Sequence, residues 1–382
     1  MTKPLEGIRV VELARILAGP WAGQTLADLG AEVIKVESPA GDDTRRWGPP
    51  YLGEGDSKTA AYYHSCNRGK KSVVIDFKTD QGLADLKALI ASADVLIENY
   101  KVGGLKKHGL DYDSLAGENP ALIYCSITGF GQTGPDADKA GYDFLMQGLS
   151  GLMSITGVAD GPPQKVGVAI TDIVTGLYSV IAIQAALAAR ATTGRGQHID
   201  MALLDAATAV TANQAMNYLA TGTAPKRMGN DHPNIAPYRV FELSDGYVIL
   251  AIGNDGQFQR FCDIIGHAEF AEDARFITNE ARVKNRDALI AAMEPVLLTW
   301  TKADLISACG QNAVPISPIN DMDEVFANPQ LIARGLRTDL DGYPSVRLPI
   351  VMSDSDIGAT NAAPDLGADT EAVLSALRKQ SG

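Results

Sequence analysis

The sequence predicts an α/β protein with a Rossmann-like, doubly wound large domain and a smaller α+β domain. Up to about residue 205, short runs rich in Val and Ile alternate with helical patterns, which is typical of a parallel sheet covered by helices. A polar, proline-containing stretch, GTAPKRMGNDHPNIAPY, then interrupts the alternation. New strand and helix patterns begin near Tyr238. We therefore expect a first domain that ends near residue 220.

Each expected strand of the first domain is a short apolar run. The strand candidates are residues 8–13, 32–36, 72–76, 95–98, 122–127 and 198–203, and the helix candidates include 23–29, 81–91 and 171–189. The second domain carries a strand pair around 241 and 247–252 and helices at 257–265, 280–298 and 302–308. Beyond residue 325 we expect one helix, a strand at 346–351 and a last helix at 370–379. Such βαβ order places ligands at the carboxyl ends of the strands.

The composition excludes several classes of function. A net charge of -13 argues against nucleic acid, because binding a polyanion needs a broad basic surface, whereas a small anion needs only a local basic cluster. Four widely spaced cysteines and five histidines show no metal spacing, so we expect reduced thiols and no metal site. Neither the N-terminus nor any later stretch is expected to be apolar enough for a signal sequence or a membrane span. The expected location is cytoplasmic.

Residues 9–37, RVVELARILAGPWAGQTLADLGAEVIKVE, have the order strand, glycine-containing turn, helix, strand and acid. This order is found in nicotinamide-binding proteins, where Glu37 would contact a ribose. The turn AGPWAG lacks the G-x-G-x-x-G spacing that lets backbone amides approach a pyrophosphate. Plain βαβ packing is therefore favoured, and a nicotinamide-dependent oxidoreductase is kept as an alternative.

Basic side chains gather in two segments of an otherwise acidic chain. They are Arg68, Lys70 and Lys71 in CNRGKKS, and Lys101, Lys106 and Lys107 in ENYKVGGLKKHG. The second segment follows the strand at 95–98, where an open α/β sheet presents its ligand site. Such clusters suit a phosphate-rich molecule such as CoA, but they also occur in ordinary surface loops. Both interpretations are open on the pattern alone.

Asp172 lies in GVAITDIVTGLYSVIAIQAAL, just before or within the first turn of a strongly apolar helix. An aspartate there caps free amides and interacts favourably with the helix dipole. The same position suits a nucleophilic carboxylate, because the positive helix end would keep it ionised and neighbouring amides would receive a developing oxyanion. The two roles do not exclude each other.

Several separated motifs occur in one order along the chain. They are LAGPWAGQTLADLGAEVIKVE, GDDTRRWGPP, NRGKKSVVIDFK, DVLIENY, CSITGFGQTGP, AGYD, GVAITDIVTGLY and VPISPINDMDEVFANPQ. This ordered set resembles the family III CoA-transferases, the formyl-CoA transferase or CaiB/BaiF type, over essentially the whole length. The resemblance implies an enzyme of acyl-CoA metabolism that moves CoA from an acyl-CoA to a small carboxylic acid, with CoA as substrate and no permanently bound cofactor.

The resemblance also implies an architecture. Family members form an interlocked homodimer, two chains threaded like rings, in which both ends of the chain build the large domain. We accordingly expect residues 1–220 to form the first part of the CoA-binding domain, 221–325 the linker and small domain, and 326–382 a segment that returns to the large domain.

The site residues follow from the same resemblance. The nucleophilic aspartate of the family falls on Asp172, which implies an aspartyl-CoA thioester. Arg15, Arg46 and Tyr142 are candidates for the substrate site, the two arginines as partners for a second substrate carboxylate. The positions that contact CoA in the family fall on Leu17, Ala18, Arg68, Gly69, Lys70, Lys71, Asn99, Tyr100, Lys101, Lys107, Thr128, Gly129, Phe130 and Gly131.

Two departures from related branches narrow the chemistry. Formyl-CoA transferases carry glutamine where this chain has Leu17, and a run of glycines where it has MGNDHPNIAPY. The α-methylacyl-CoA racemases carry histidine at Tyr142, and without it one base of a two-base proton exchange is missing. A racemase and a catalytically silent CoA-binding protein are kept as alternatives. The GDDTRRWGPP, GYD and MGNDHPNIAPY motifs are closest to the succinyl-CoA:glutarate branch, which implies succinyl-CoA as donor and a dicarboxylate such as glutarate as acceptor.

Overall fold

The computed structural model describes residues 2–55 and 58–380 and divides the chain into two compact units. The first unit contains Met1–Leu152, Val166–Gly222 and Pro329–Gly382, and the second contains Met153–Lys165 and Thr223–Asn328. The chain therefore leaves the first unit twice and returns to it twice. The sequence pattern placed breaks after residues 220 and 325 and did not anticipate that 153–165 belong to the second unit.

The first unit is built on a six-stranded parallel sheet with the order β5-β2-β1-β6-β7-β8. Its strands are β1 (Arg9–Glu12), β2 (Glu32–Glu37), β5 (Lys71–Val74), β6 (Val95–Glu98), β7 (Ile123–Thr128) and β8 (His198–Ala202), while β3 (Tyr51–Leu52) and β4 (Thr59–Ala60) form a separate short pair. The strand order reverses at β1 and β6, which is the point where doubly wound sheets bind ligands. The predicted α/β class and all six strands are confirmed.

Helices cover both faces of this sheet. Val10 and Ile97 face one core, while their neighbours Val11 and Leu96 face another, so the strands read as continuous apolar runs. The helices of the chain are α1 (Ala18–Asp28), α2 (Ala61–His64), α3 (Asp80–Ala91), α4 (Tyr112–Glu118), α5 (Asp143–Leu149), α6 (Leu152–Ile155), α7 (Ile170–Thr193), α8 (Leu203–Ala209), α9 (Ala212–Thr221), α10 (Asp255–Ile264), α11 (Glu269–Glu272), α12 (Asn279–Lys284), α13 (Arg286–Leu297), α14 (Lys302–Gln311), α15 (Met322–Ala327), α16 (Pro329–Ala333) and α17 (Thr370–Gln380).

Helix α7 corrects one expectation. By length and composition this 24-residue helix is apolar enough to cross a membrane, although no such stretch was expected. Length and composition alone are weak evidence for a membrane span, because the core helix of a globular protein has them too. Here α7 packs against α1, and a Cβ added at Gly176 would lie 2.7 Å from the Ala18 carbonyl oxygen. Glycine at this position lets the two helices approach closely.

The second unit is an antiparallel sheet packed against helices. Its strands β9 (Tyr238–Leu243), β10 (Gly246–Ala251) and β11 (Ile316–Pro318) have the order β11-β10-β9, with Val248 opposite Phe241. Phe258 and Met293 complete a core of their own. The helix predicted at 280–298 is divided into α12 and α13, because residue 285 leaves the helical conformation.

Residues 329–380 complete the first unit at the free edge of β5. Asp369 Oδ2 accepts the Ser72 N–H at 2.9 Å, and Thr370 Oγ1 accepts the Val74 N–H at 3.0 Å. These side chains occupy the hydrogen-bonding groups that would leave β5 an open edge strand. Upstream, β12 (Arg337–Leu340) and β13 (Tyr343–Val346) form a hairpin. The strand predicted at 346–351 is wrong, because β13 ends where it was expected to begin.

Candidate active site

Three loops meet at the carboxyl edge of the large sheet, because β1, β6 and β7 are neighbours. The first two loops are joined directly. Asn99 Nδ2 donates to the Arg15 carbonyl oxygen at 2.8 Å, and the Arg15 N–H donates to Asn99 Oδ1 at 3.0 Å. This reciprocal pair fixes the end of β6 to the turn that leads into α1. Leu17 and Ala18, where α1 begins, therefore lie beside the loop that starts at Asn99.

Asp172 lies in the first turn of α7, four residues before Gly176. Because Gly176 contacts Ala18, Asp172 lies at the same edge of the sheet as the start of α1. The N-cap of α7 is Ala169, which forms no side-chain capping hydrogen bond, and Asp172 accepts none of the first-turn amides, so the capping role considered for Asp172 is not observed. Its side chain is buried, and it accepts no hydrogen bond from the described part of the chain.

The protonation of Asp172 differs from the expectation. Burial, and to a lesser degree the nearby charge of Asp143, raise its pKa to about 7. The expectation that the positive end of α7 keeps this carboxyl fully ionised is therefore not met at neutral pH, because desolvation and Asp143 favour the protonated form. A carboxyl with this pKa is present in both forms at pH 7, and its ionised form lacks hydrogen bonds that would stabilise the charge.

Asp143, which the sequence analysis did not identify, connects α5 with the start of α7. Its Oδ1 accepts the Thr171 N–H at 2.8 Å, and its Oδ2 accepts the Gln147 Nε2–H at 2.8 Å. Gln147 is fully buried, and its Oε1 accepts the Val166 N–H at 2.9 Å. Asp143 thus orients the backbone beside Asp172. Asp143 is the last residue of the AGYD motif, so the motif could have indicated it. Only Tyr142, whose side chain is exposed, was selected from this motif.

The third loop, residues 128–131, packs against the AGYD loop. A Cβ added at Gly129 would lie 2.6 Å from the Gly141 Cα, so neither backbone leaves room for a side chain. Thr128 Oγ1 accepts the Gly131 N–H at 3.0 Å and closes the turn after β7. Phe130 is partly buried against the core. This contact brings the end of β7 next to Asp143 and hence next to the start of α7.

Tyr62 is a second residue that sequence reasoning missed. Burial raises the pKa of its phenol, and Cys66, Asp172 and Asp143 raise it further, so Tyr62 lies within reach of both carboxyl groups. The Trp47 ring stands edge-on to Tyr62, with ring centroids 5.4 Å apart. The Tyr62 and Trp47 rings therefore lie on one side of the region that contains the two carboxyl groups. Neither ring has a motif of its own, and only the packing reveals them.

The two arginines chosen as carboxylate partners share one acid. Arg15 Nη1 lies 3.1 Å from Asp43 Oδ2, and Arg46 Nη2 lies 3.3 Å from Asp43 Oδ1. Their side chains are 54% and 62% exposed, so water weakens any ion pair that either of them forms. Both guanidinium groups are accessible to an incoming anion, which would compete with the Asp43 carboxylate for them.

The first basic cluster offers no free cation to the ligand edge. Arg68 is buried and pairs with Asp28, with its Nε 3.1 Å from Oδ1. Lys70 is also buried, and its Nζ lies 2.8 Å from Glu12 Oε2. Lys71 is half exposed, but it begins β5 at the opposite, amino-terminal edge of the sheet and pairs with Glu32. The amide of Gly69 donates to the carbonyl of residue 361 in the tail.

The second basic cluster remains available. Lys101, Lys106 and Lys107 are exposed on the loop after β6, and none of them forms an ion pair with the described residues. The Tyr100 N–H donates to Glu98 Oε2 at 2.8 Å, which fixes the start of this loop. The cluster therefore presents three free ammonium groups near the edge where Asn99 meets Arg15. Across residues 2–55 and 58–380 no group of His, Cys, Asp and Glu could hold a metal, and all four cysteines are buried free thiols.

Comparison with known proteins identifies the family. The profile described as CoA-transferase family III matches residues 5–370. This chain belongs to CoA-transferase family III. It is 57% identical to the succinate–glutarate CoA-transferase of Agrobacterium fabrum (strain C58), over 98% of this chain and 96% of that protein. It is 42% identical to the human succinyl-CoA:glutarate CoA-transferase, over 97% of this chain and 85% of that protein.

A solved structure supports the same conclusion. The crystal structure of a CaiB/BaiF family protein from Brucella suis matches with a TM-score of 0.90 and 57% identity, covering 99% of this chain and 100% of that one. The resemblance that the sequence motifs indicated is confirmed. As a member of family III the protein is a CoA-transferase, and its substrates are CoA thioesters.

Proposed function

We propose that this family III CoA-transferase moves CoA from succinyl-CoA to a dicarboxylic acid such as glutarate, with Asp172 as its covalent nucleophile. The observation that carries the assignment is the buried, hydrogen-bond-free carboxyl group at the start of α7, beside the first residues of α1. Such a carboxylate has little solvation to lose before it attacks a carbonyl carbon. The substrates are taken from the names of the Agrobacterium and human relatives.

The reaction consists of two symmetrical halves. The Asp172 carboxylate attacks the donor thioester, which forms a mixed anhydride and releases the CoA thiolate. The thiolate attacks the aspartyl carbonyl, which releases the donor acid and leaves CoA on Asp172 as a thioester. The acceptor carboxylate then attacks this thioester, which forms a second mixed anhydride and releases the CoA thiolate. The thiolate attacks the acceptor carbonyl, which gives the new acyl-CoA and releases the Asp172 carboxylate. One thioester is exchanged for another, so the reaction needs no other energy source, and binding of the nucleotide end of CoA positions the reacting atoms.

We propose that the three loops at the carboxyl edge hold the CoA. Leu17 and Ala18 are the first part of this site, Asn99, Tyr100, Lys101 and Lys107 the second, and residues 128–131 the third. The free ammonium groups of Lys101 and Lys107 are suitable partners for phosphates. Arg68, Lys70 and Lys71, which the resemblance also assigned to CoA, are paired with acids, so we place no phosphate on them.

The covalent intermediate is testable by peptide mass spectrometry. After incubation with succinyl-CoA and trapping with hydroxylamine or borohydride, we expect the label on the peptide that contains Thr171 and Asp172. Asp172→Asn should remain unlabelled and lose CoA exchange, because an amide does not attack a thioester. Asp143→Asn is the matched control, because it removes a neighbouring carboxylate and keeps the nucleophile. A label found only on other peptides, or full exchange in the Asp172 variant, would disprove the mechanism.

The preference for a dicarboxylate is testable at Arg15 and Arg46. If either guanidinium pairs with the second carboxylate, its replacement by Met should weaken use of glutarate by about 1.5–3 kcal/mol, or at least tenfold in kcat/KM. Acetate and butyrate should be affected much less, which makes them the internal control. An enzyme that prefers monocarboxylates, or variants that slow both classes equally, would leave CoA transfer intact and remove the dicarboxylate assignment.

We propose further that two chains form the interlocked homodimer that the family resemblance implies. Large apolar side chains remain exposed on three helices of the first unit, Phe144 and Leu149 on α5, Ile181 on α7, and Met216 and Leu219 on α9. Exposed apolar surface of this extent is typical of a protein interface. The family resemblance implies that a second copy of the chain covers these side chains.

A further inference from the structure

Ile16 has a backbone conformation that is unusual for its type. Its φ is 72°, in the left-handed region, where a β-branched side chain collides with its own backbone. Strained residues of this kind persist only where the surrounding structure holds them, and they cluster at functional sites. Ile16 stands between the end of β1 and the first residue of α1, in the loop that the proposed function places against CoA.

A buried aspartate holds the amide of this residue. The Ile16 N–H faces both carboxylate oxygens of Asp42, with donor to acceptor distances of 3.4 and 3.3 Å. Asp42 also accepts the Thr44 N–H at 3.0 Å and the Thr44 hydroxyl at 2.8 Å. Only 1% of Asp42 is exposed. Its position is therefore determined by protein groups, and it presents a fixed acceptor to the strained residue.

A buried lysine completes the arrangement. Lys35 Nζ lies 2.9 Å from Asp42 Oδ2 and 3.0 Å from Glu12 Oε1, and it donates to the Ala14 carbonyl oxygen at 2.9 Å. Burial alone would lower the pKa of Lys35, but Glu12 and Asp42 outweigh burial and raise it. Burial would likewise raise the pKa of Asp42, but Lys35 and the Thr44 amide lower it. Both groups are charged in the fold.

Such a pair requires an explanation other than stability. A buried ion pair loses about as much solvation as it gains in attraction, so apolar side chains would serve the core equally well. Here Lys35 and Asp42 both contact the backbone of the turn, at Ala14 and at Ile16. On the opposite side Asn99 holds Arg15 by two hydrogen bonds. The charged pair and Asn99 thus fix the turn from two directions.

We infer that Lys35 and Asp42 are positioning residues that keep Ile16 left-handed and thereby fix Leu17 and Ala18 for acyl-CoA. A change of φ at residue 16 to a negative value would redirect the chain just before α1 and displace both residues. The inference rests on the proposed function, because it assumes that acyl-CoA binds at this turn. Neither residue touches the substrate. Each acts on catalysis through the backbone of the turn.

A double-mutant cycle tests this role. Asp42→Asn keeps the shape and one acceptor oxygen but removes the charge that pairs with Lys35, so we expect kcat/KM for succinyl-CoA to fall at least tenfold. Ile16→Gly alone should lower kcat/KM less than Asp42→Asn does, because glycine adopts a positive φ without strain. The double variant should stay within threefold of Ile16→Gly, since no strain remains to be held. The loss should lie in KM for acyl-CoA, with KM for glutarate unchanged.

Controls separate positioning from stability. Val73→Ala removes buried atoms from the core on the other side of the sheet and should lower the Tm without changing KM. If Asp42→Asn does not fold, Thr44→Val replaces it, since it removes one hydrogen bond to Asp42 and should give a smaller loss that Ile16→Gly also reverses. Activity of Asp42→Asn within twofold of the wild type, or a loss that Ile16→Gly does not reverse, would overturn the inference. A wild-type protein that neither labels Asp172 nor transfers CoA would instead overturn the proposed function.

Discussion

At the scale of single residues, the chemistry of this site depends on the protonation of one carboxyl group. Burial raises the pKa of Asp172 to about 7, and its neighbour Asp143 contributes to the shift. Only the ionised form attacks a thioester, so the active fraction of the enzyme increases with pH through this range. Asp143 therefore has two opposing effects, because it orients the start of α7 through Thr171 and it disfavours the charge that the reaction needs.

The pH profile provides a direct measurement. For the wild type we expect kcat/KM for succinyl-CoA to rise with pH, with a midpoint near pH 7. Asp143→Asn removes a negative neighbour, so the pKa of Asp172 should fall and the midpoint should move to lower pH. In this variant the Thr171 N–H keeps an acceptor oxygen, but the Gln147 side-chain amide loses the oxygen to which it donates. Because this loss can change the maximal rate by itself, the midpoint of the pH profile is the quantity to compare.

Asp136→Asn is the matched control for this profile. It removes the same charge from an exposed loop where Asp136 pairs with Lys139, and it should leave the midpoint unchanged. A midpoint that stays the same in Asp143→Asn, or that moves equally in both variants, would contradict the assigned origin of the pKa shift.

Sequence reasoning pointed to Asp172 but not to its surroundings. The pattern at the start of an apolar helix fitted a capping role as well as a nucleophile, and the family resemblance made Asp172 the candidate nucleophile. Asp143 and Tyr62 were missed because their importance comes from contacts between distant segments. Arg68 was assigned to a ligand because its partner Asp28, 40 residues earlier, cannot be recognised as a partner before the helix and the loop are packed together.

At the scale of elements, the two faces of the sheet explain why most strands were predictable. Apolar side chains occur at consecutive positions of a strand that is covered on both sides, so each run was visible in the sequence. The tail was less predictable. The apolar run at 346–351 was taken for a strand, whereas the turn at Asp341 and Gly342, both with positive φ, determines where the hairpin forms.

The loop after β6 yields a prediction about CoA affinity. Lys107→Ala should raise KM for succinyl-CoA about three- to tenfold, because one unpaired cation near the phosphates is lost, and the wild-type KM should rise with salt. Lys71→Ala is the control that the chain offers, since Lys71 pairs with Glu32 at the opposite edge of the sheet and should leave KM unchanged. If the two substitutions raised KM equally, the first basic cluster would have to be counted as part of the CoA site.

At the scale of the whole molecule, the exposed apolar side chains of α5, α7 and α9 predict an obligate assembly. We expect a mass of twice 40.4 kDa by light scattering, and no dissociation on dilution to nanomolar concentration, because threaded chains separate only when they unfold. Ile181→Asp, which places a charge on a side chain that is 62% exposed, should abolish the dimer.

Lys284→Asp is the control for this substitution, since it introduces the same acid at an exposed position of α12, a helix of the second unit. A wild-type mass of 40.4 kDa, or a dimer that Ile181→Asp leaves unchanged, would count against this interface. The family resemblance implied the assembly, whereas periodicity and composition alone gave no indication of it.

Asp369 and Thr370 reach the free edge of β5 only late in biosynthesis. Ser72 and Asp369 are 297 residues apart, so the ribosome releases the strand long before the side chains that cover it. At an elongation rate of ~5–20 residues per second, this interval lasts roughly 15–60 s. An uncovered edge strand is a template for pairing with a neighbouring nascent chain. Aggregation during translation is therefore most probable while the second unit is being made, and it should decrease when chains are initiated less often on each messenger.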